Sequence, residues 1–192
     1  MPILIQIPAK IQRAIAQALF FGAMALPFPA AHADPGTVAV GFSPDGNAEQ
    51  LVLSNIGNAR ASIRLAAYSL SSPKVVSALI AAKRRAVDVQ VVADYRNNVE
   101  EDRSGKQRAA LGLLAGAGIP TRTVATYSIH HDKFCVVDGR DVQTGSFNYS
   151  TAAARYNSEN VVVMYDRPDV AKKYLAHWQS RFDQGQAFNP RY

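Results

Sequence analysis

The sequence predicts an α/β fold in one domain: a mixed, largely central β-sheet flanked by helices on both faces. Three observations lead there. Short β-rich apolar runs alternate with helical patterns through the first half, strands dominate the second half, and an amphipathic helix closes the chain.

The elements follow in order. A first strand is expected over Thr37 to Phe42, then a helix over Asn47 to Ala59 and a strand over Ile63 to Leu70. Ser72-Pro73 starts the next helix, because serine can cap free N–H groups and proline fits the first turn. That helix runs to Arg85, with Val76, Leu79 and Ile80 at helical spacing, and a strand over Val87 to Ala93 completes a βαβαβ pattern. Tyr95 to Lys106 is polar and reads as a loop. It follows the carboxyl end of a strand, where α/β sheets place sites, so Arg96 and Arg103 are candidates for touching phosphate; a solvated loop is the equal alternative. A helix over Gln107 to Ala117 comes next.

Strands are then expected over Thr121 to Ala125, His131 to Val137, Val142 to Ser146 and Asn160 to Tyr165. Asp138-Gly139 supplies a tight hairpin turn. The closing helix, Pro168 to about Phe182, carries Val170, Tyr174 and Trp178 at four-residue spacing, which reads as a core stripe.

The amino end reads as a secretory signal. Lys10 and Arg13 precede an apolar run from Ile15 to Leu26, and Ala31-His32-Ala33 supplies a small-residue cleavage site. The run falls short of the roughly 20 apolar residues a span requires, which weighs against an anchor. The expected division is therefore a signal peptide over 1–33 and a single domain over 34–192, exported to the periplasm or beyond. Loss of Lys10 and Arg13 lowers the formal charge of +6 by two, so the mature chain stays mildly basic. That balance favours polyanionic partners without choosing among them. Cys135 is the single cysteine, which excludes an intramolecular disulfide; between Phe134 and Val136 it reads as a buried thiol.

Chemistry concentrates in His130-His131-Asp132-Lys133-Phe134-Cys135-Val136-Val137-Asp138, in Gly145-Ser146-Phe147-Asn148 and in Glu159-Asn160. If 131–137 is extended, His131 and Lys133 share one face while His130 and Asp132 take the other, and Ser146 and Asn148 pair likewise. An imidazole, an ammonium, a hydroxyl and an amide together suit a phosphodiester: the histidine attacks phosphorus while the donors hold its non-bridging oxygens. Taken singly, each residue reads better as a polar hairpin or strand end.

The joint pattern H-x-K-x4-D followed by x6-G-S-x-N resembles the signature of the phospholipase D superfamily, met here by His131, Lys133, Asp138, Gly145, Ser146 and Asn148. The chain is further similar to a small single-motif bacterial endonuclease branch through Phe42-Ser43-Pro44, Ala93-Asp94-Tyr95-Arg96-Asn97-Asn98, Ile129-His130-His131-Asp132-Lys133, Gly145-Ser146-Phe147-Asn148-Tyr149-Ser150 and Asn157-Ser158-Glu159-Asn160.

The resemblance implies a phospholipase D-like fold and a metal-independent phosphodiesterase that needs no cofactor and works through a phosphohistidine. His131 would be the nucleophile, Lys133 and Asn148 would bind phosphate, Ser146 would bind phosphate or brace the pocket, and Glu159 would orient the histidine. Asp138 belongs to the motif, but strand parity favours a supporting role in charge balance or hairpin geometry. One chain holds one motif, and neither His130 nor His177 is well placed to be the second catalytic histidine. A homodimer sharing one site across a two-fold axis would supply it. The expected substrate is DNA, with RNA left open, and no stable membrane partner. The alternatives are a lipid phosphodiesterase of the same chemistry and a catalytically silent polyanion-binding module.

Overall fold

The computed structural model describes residues 36–189; the expected signal peptide lies outside the described residues. An eight-stranded sheet organises them. Its strands are β1 (Val38–Ser43), β2 (Ser62–Ala67), β3 (Asp88–Asp94), β4 (Thr121–Val124), β5 (Lys133–Val137), β6 (Asp141–Gly145), β7 (Glu159–Met164) and β8 (Gln186–Ala187), in the spatial order β1-β7-β6-β5-β2-β3-β4-β8. The helices are α1 (Ala48–Gly57), α2 (Pro73–Arg84), α3 (Lys106–Gly116), α4 (Thr151–Arg155) and α5 (Pro168–Gln184).

The sheet is mixed, as expected. Among the described strands only β2, β3 and β4 are parallel neighbours, and α2 and α3 supply the crossover connections that parallel pairing requires. The βαβαβ reading placed β1 in the same series. Instead β1 pairs antiparallel with β7 at the far edge, with β7, β6 and β5 between it and β2.

Side-chain alternation divides the core. Ile63, Leu65, Val89, Val91, Cys135, Val137, Val161 and Val163 face the layer of α1, α2 and α3, while Ala66, Val92, Phe134, Val136 and Val142 face α5 through Trp178 and Phe182. Helices therefore cover both faces. The Val170, Tyr174, Trp178 stripe lies against this second core, with Trp178 fully buried and its Nε1 donating to the Leu65 carbonyl at 2.9 Å. Cys135 is fully buried, and burial pushes its thiol up to about 12. In α2, Ser72 Oγ accepts from Val75 N at 3.4 Å and Pro73 opens the first turn, the start read from the sequence.

Three segments depart from expectation. The second strand stops at Ala67, because 68–72 leave the sheet to run beside 147–149: Tyr149 N donates to Ser69 O, and Ser71 N and Ser72 N both donate to Tyr149 O. The loop after β3 opens with a π-helical turn, Arg96–Glu100. The fifth strand begins at Lys133 rather than His131. The short α4 and β8 were not anticipated.

Candidate active site

Strand directions bring the polar residues to one edge of the sheet. The carboxyl ends of β1, β2, β3 and β6 and the amino ends of β5 and β7 all meet there. His131 and Lys133 enter β5 at that edge, Ser146 and Asn148 leave β6, and Glu159 opens β7. Residues far apart in sequence are thus gathered by topology.

His131 is exposed, and its ring meets the Tyr68 ring edge-on with centroids 4.6 Å apart. Lys133 is buried. Its Nζ donates to the His131 carbonyl at 2.8 Å and lies 5.0 Å from the Tyr68 ring centroid, with no ion pair among the described residues. Burial lowers the Lys133 pKa, against the opposing pull of the Glu159 and Asp132 carboxylates. Tyr68 therefore walls the face that His131 and Lys133 share. Sequence reading missed it, since a tyrosine at a strand end carries no motif of its own.

The G-S-x-N segment has a steric logic. At Gly145, φ is +149°, and any side chain would collide with the Asn160 carbonyl, so the β6 end can approach β7 only with glycine there. Ser146 Oγ then donates to Glu159 Oε2 at 2.6 Å and accepts from Asn160 N at 3.0 Å, while Asn157 Nδ2 donates to Glu159 Oε1 at 3.0 Å. Glu159 is held by Ser146 and Asn157, and no hydrogen bond joins it to His131 among the described residues; the orienting contact expected from the resemblance is not made in this chain. Asn148 is fixed between Phe147 and Tyr149, both fully buried, the latter donating to Gln143 Oε1 at 2.8 Å. Its own Oδ1 is buried with no partner among the described residues.

Asp138 does not join this group. It sits at the other end of β5, where Val137 pairs with Ile63, whereas Lys133 pairs with Ala67. With φ of +53° and +67°, Asp138 and Gly139 form the centre of a primed turn closed by Arg140 N to Val137 O at 3.1 Å, the hairpin the dipeptide announces. The Asp138 carboxylate accepts from the backbone N–H groups of Arg60 (3.0 Å), Ala61 (2.7 Å) and Ser62 (2.8 Å). Its grouping with the catalytic residues is corrected: the carboxylate ties the start of β2 to the hairpin, out of reach of His131.

The polar loop after β3 is internally neutralised. Arg96 pairs with Glu101 at 3.4 Å and Glu100 at 3.9 Å, and buried Asp102 accepts from Arg108 N at 2.9 Å. Arg103 is exposed. Asp94 and Asn98, which the sequence showed only as part of a run shared with the endonuclease branch, acquire a role here. Asp94 accepts from Asn97 N at 2.6 Å and His130 N at 2.7 Å, and Asn98 spans Leu70 N, Tyr68 O and Asp94 O at 2.9, 2.6 and 2.8 Å. These two side chains hold the Tyr68 and His130 segments together. A wide groove lined by Tyr95, Arg108, Leu113 and Phe188 contains none of the motif residues. No cluster of three or more His, Cys, Asp or Glu able to hold a metal occurs among the described residues.

An exposed imidazole beside a buried ammonium and a side-chain amide can engage a phosphate ester: the imidazole meets phosphorus, and the ammonium and the amide N–H meet its oxygens. Comparison with known proteins agrees. The family model described as "Cardiolipin synthase, PLD-like domain" matches residues 52–184. A phospholipase D of Rickettsia felis is 33% identical over 144 residues, covering 75% of this chain and 68% of that protein. The human mitochondrial cardiolipin hydrolase is 34% identical over 132 residues, 69% of this chain and 48% of its own length. The solved structure of Nuc, a phospholipase D family member from Salmonella typhimurium, superposes with a TM-score of 0.76 at 46% identity, covering 80% of this chain and 98% of that one. With motif, sheet and relatives in agreement, the chain belongs to the phospholipase D superfamily and is a phosphodiester hydrolase.

Proposed function

We propose that the chain is a non-specific endonuclease that hydrolyses DNA through a phosphohistidine, as a homodimer with one shared site. The likeness to Nuc, 46% identical over 98% of that chain, carries this reading, and the runs that resemble the small endonuclease branch support it. His131 of one subunit attacks phosphorus through an unprotonated ring nitrogen, forming the P–N bond as the P–O bond to the leaving strand breaks. The same residue of the second subunit, entering protonated, gives its proton to the leaving oxygen. That histidine, now neutral, takes a proton from water, whose oxygen displaces the first histidine. Lys133 and Asn148 hold the non-bridging oxygens. Ser146 and Glu159 brace that pocket, and Glu159 balances the Lys133 charge. In this reading residues 1–33 are removed after Ala33 and residues 34–192 act outside the cytoplasm.

A second reading, lipid hydrolysis, draws on the names of the Rickettsia and human relatives and on Ile129, which is 47% exposed two residues before His131. The test is the purified mature protein on plasmid DNA and on phosphatidylcholine or cardiolipin vesicles, all in excess EDTA. DNA cleavage undiminished by EDTA is the expected result. Lipid turnover alone overturns the nuclease, cleavage abolished by EDTA overturns the metal-free mechanism, and binding without turnover identifies a silent module. Sedimentation of the active species should give a dimer; full activity in a strict monomer refutes the shared site.

A further inference from the structure

The segment carrying His131 has no strand partners, because β5 begins only at Lys133. Its geometry must come from side chains. On one side of His131, His130 N donates to Asp94 Oδ2 at 2.7 Å, and His130 Nδ1 lies 3.3 Å from Asp132 Oδ2. On the other, Asp132 Oδ2 lies 2.7 Å from Nε2 of His177, in α5. His177 has a rigid base, since its neighbour Trp178 is buried and bonded to the Leu65 carbonyl of β2. The parity that sends His131 and Lys133 toward Tyr68 sends His130 and Asp132 to the face covered by α5. His131's own ring meets only Tyr68 among the described residues, so its aim is transmitted through the backbone that these bonds hold.

We propose that His177 is a positioning residue for the phosphodiesterase site: its hydrogen bond to Asp132 ties the His131 segment to α5 and fixes where the nucleophilic ring points. The inference rests on the phosphodiesterase reading. It assigns His177 no contact with substrate. Asp132 has a further consequence, because its carboxylate also favours the Lys133 ammonium that burial disfavours. A nucleophile displaced by about 1 Å can lose about 100-fold in rate, so a bond remote from phosphorus can matter to kcat while leaving binding intact.

The competing view is that the Asp132–His177 pair only staples α5 to the sheet, in which case its loss lowers stability and nothing else. Two variants separate these. His177→Leu keeps bulk beside Phe134, whose ring centroid lies 6.0 Å from that of His177, and removes the hydrogen bond; His177→Gln retains an N–H able to reach Asp132. Steady-state kinetics on a chromogenic phosphodiester and on DNA, with thermal midpoints alongside, should show kcat reduced about 10- to 100-fold in His177→Leu, KM within about twofold, and most of the rate restored in His177→Gln. A wild-type kcat in folded His177→Leu, or a His177→Gln as slow as His177→Leu, overturns the proposal. If His177→Leu does not fold, Asp132→Asn takes its place: it preserves shape and weakens the same bond, and an unchanged kcat there is equally fatal. Wild-type turnover of the chromogenic diester with none of DNA counts against the nuclease reading alone, and the kcat ratios remain decisive for His177.

Discussion

The two ends of β5 differ in how far their polar groups are satisfied. At the Val137 end, the Asp138 carboxylate accepts from three backbone N–H groups, and its own N–H reaches Ser62 O at 2.9 Å. At the Lys133 end, an ammonium is buried without an ion pair, the Asn148 Oδ1 is buried without a partner among the described residues, and His131 stands exposed. An unpartnered buried polar group costs about 1–3 kcal/mol, a penalty that Asn148 Oδ1 carries at the Lys133 end and that the bonded Asp138 carboxylate avoids. One strand thus joins an end whose carboxylate is fully bonded to backbone to an end where an imidazole stands exposed and an ammonium is buried without an ion pair among the described residues.

His131 is where the two ends of β5 should differ most. His131→Ala should lower kcat on DNA by at least about 1,000-fold, the scale seen when a covalent nucleophile is removed. Its thermal midpoint should stay near that of the parent, since the ring is exposed and contributes one edge-on contact to Tyr68. Calorimetry and initial rates on the same preparation check both halves. A variant that keeps its activity removes His131 from the chemistry; one that loses its fold shows that the two ends are not so separate.

Asp138→Ala should give the mirror image. Three N–H groups lose their acceptor and alanine must adopt a left-handed φ, so a stability loss of about 2–4 kcal/mol is expected, read as a lowered denaturation midpoint. Below that midpoint kcat should be unchanged. A normal midpoint with a depressed kcat would return Asp138 to the catalytic group.

Much of this division was legible in the sequence. Hydrophobic alternation gave the strands and the α5 stripe, because each strand has a face that must meet a helix layer. The Asp138-Gly139 dipeptide gave the hairpin, since its two residues tolerate the positive φ the turn demands. The motif spacing gave His131, Lys133, Ser146 and Asn148, which the sheet edge gathers. Strand order was not legible: β1 lies beside β7 through long-range pairing that no local pattern encodes. Tyr68 escaped notice for a similar reason, as its partner His131 lies 63 residues away; Asp94 and Asn98 stood in a run quoted for its resemblance, but their bonds to His130 N, Tyr68 O and Leu70 N join segments that no local pattern links. Glu159 came from the resemblance as an orienting residue for the histidine, whereas its bonds to Ser146 and Asn157 depend on how closely β6 approaches β7 at Gly145.

The smallest expected effect is the pH dependence of Lys133, and it bears on the open end of the strand directly. Burial is the leading influence and lowers the lysine's pKa in the folded protein, so folding disfavours its ammonium. While both folded and unfolded chains are charged, below the folded pKa, that penalty is present in full. As pH rises from the folded pKa toward the unfolded value of about 10.4, the folded lysine is neutral first and the penalty fades. Lys133 therefore makes stability rise with pH in the alkaline range. Under the proposed mechanism activity should move the opposite way, because the ammonium assigned there to the phosphate oxygens is lost over the same window. Other groups titrate there too, so the quantity to measure is the difference between wild type and Lys133→Met in denaturation midpoint as a function of pH, with kcat/KM of wild type alongside. The variant should be at least as stable as wild type near neutrality and lose this advantage as pH climbs, while wild-type kcat/KM falls before an ordinary lysine would titrate. A stability difference of the opposite slope would mean that Glu159 and Asp132 outweigh burial, and that this end of β5 is as well satisfied as the other.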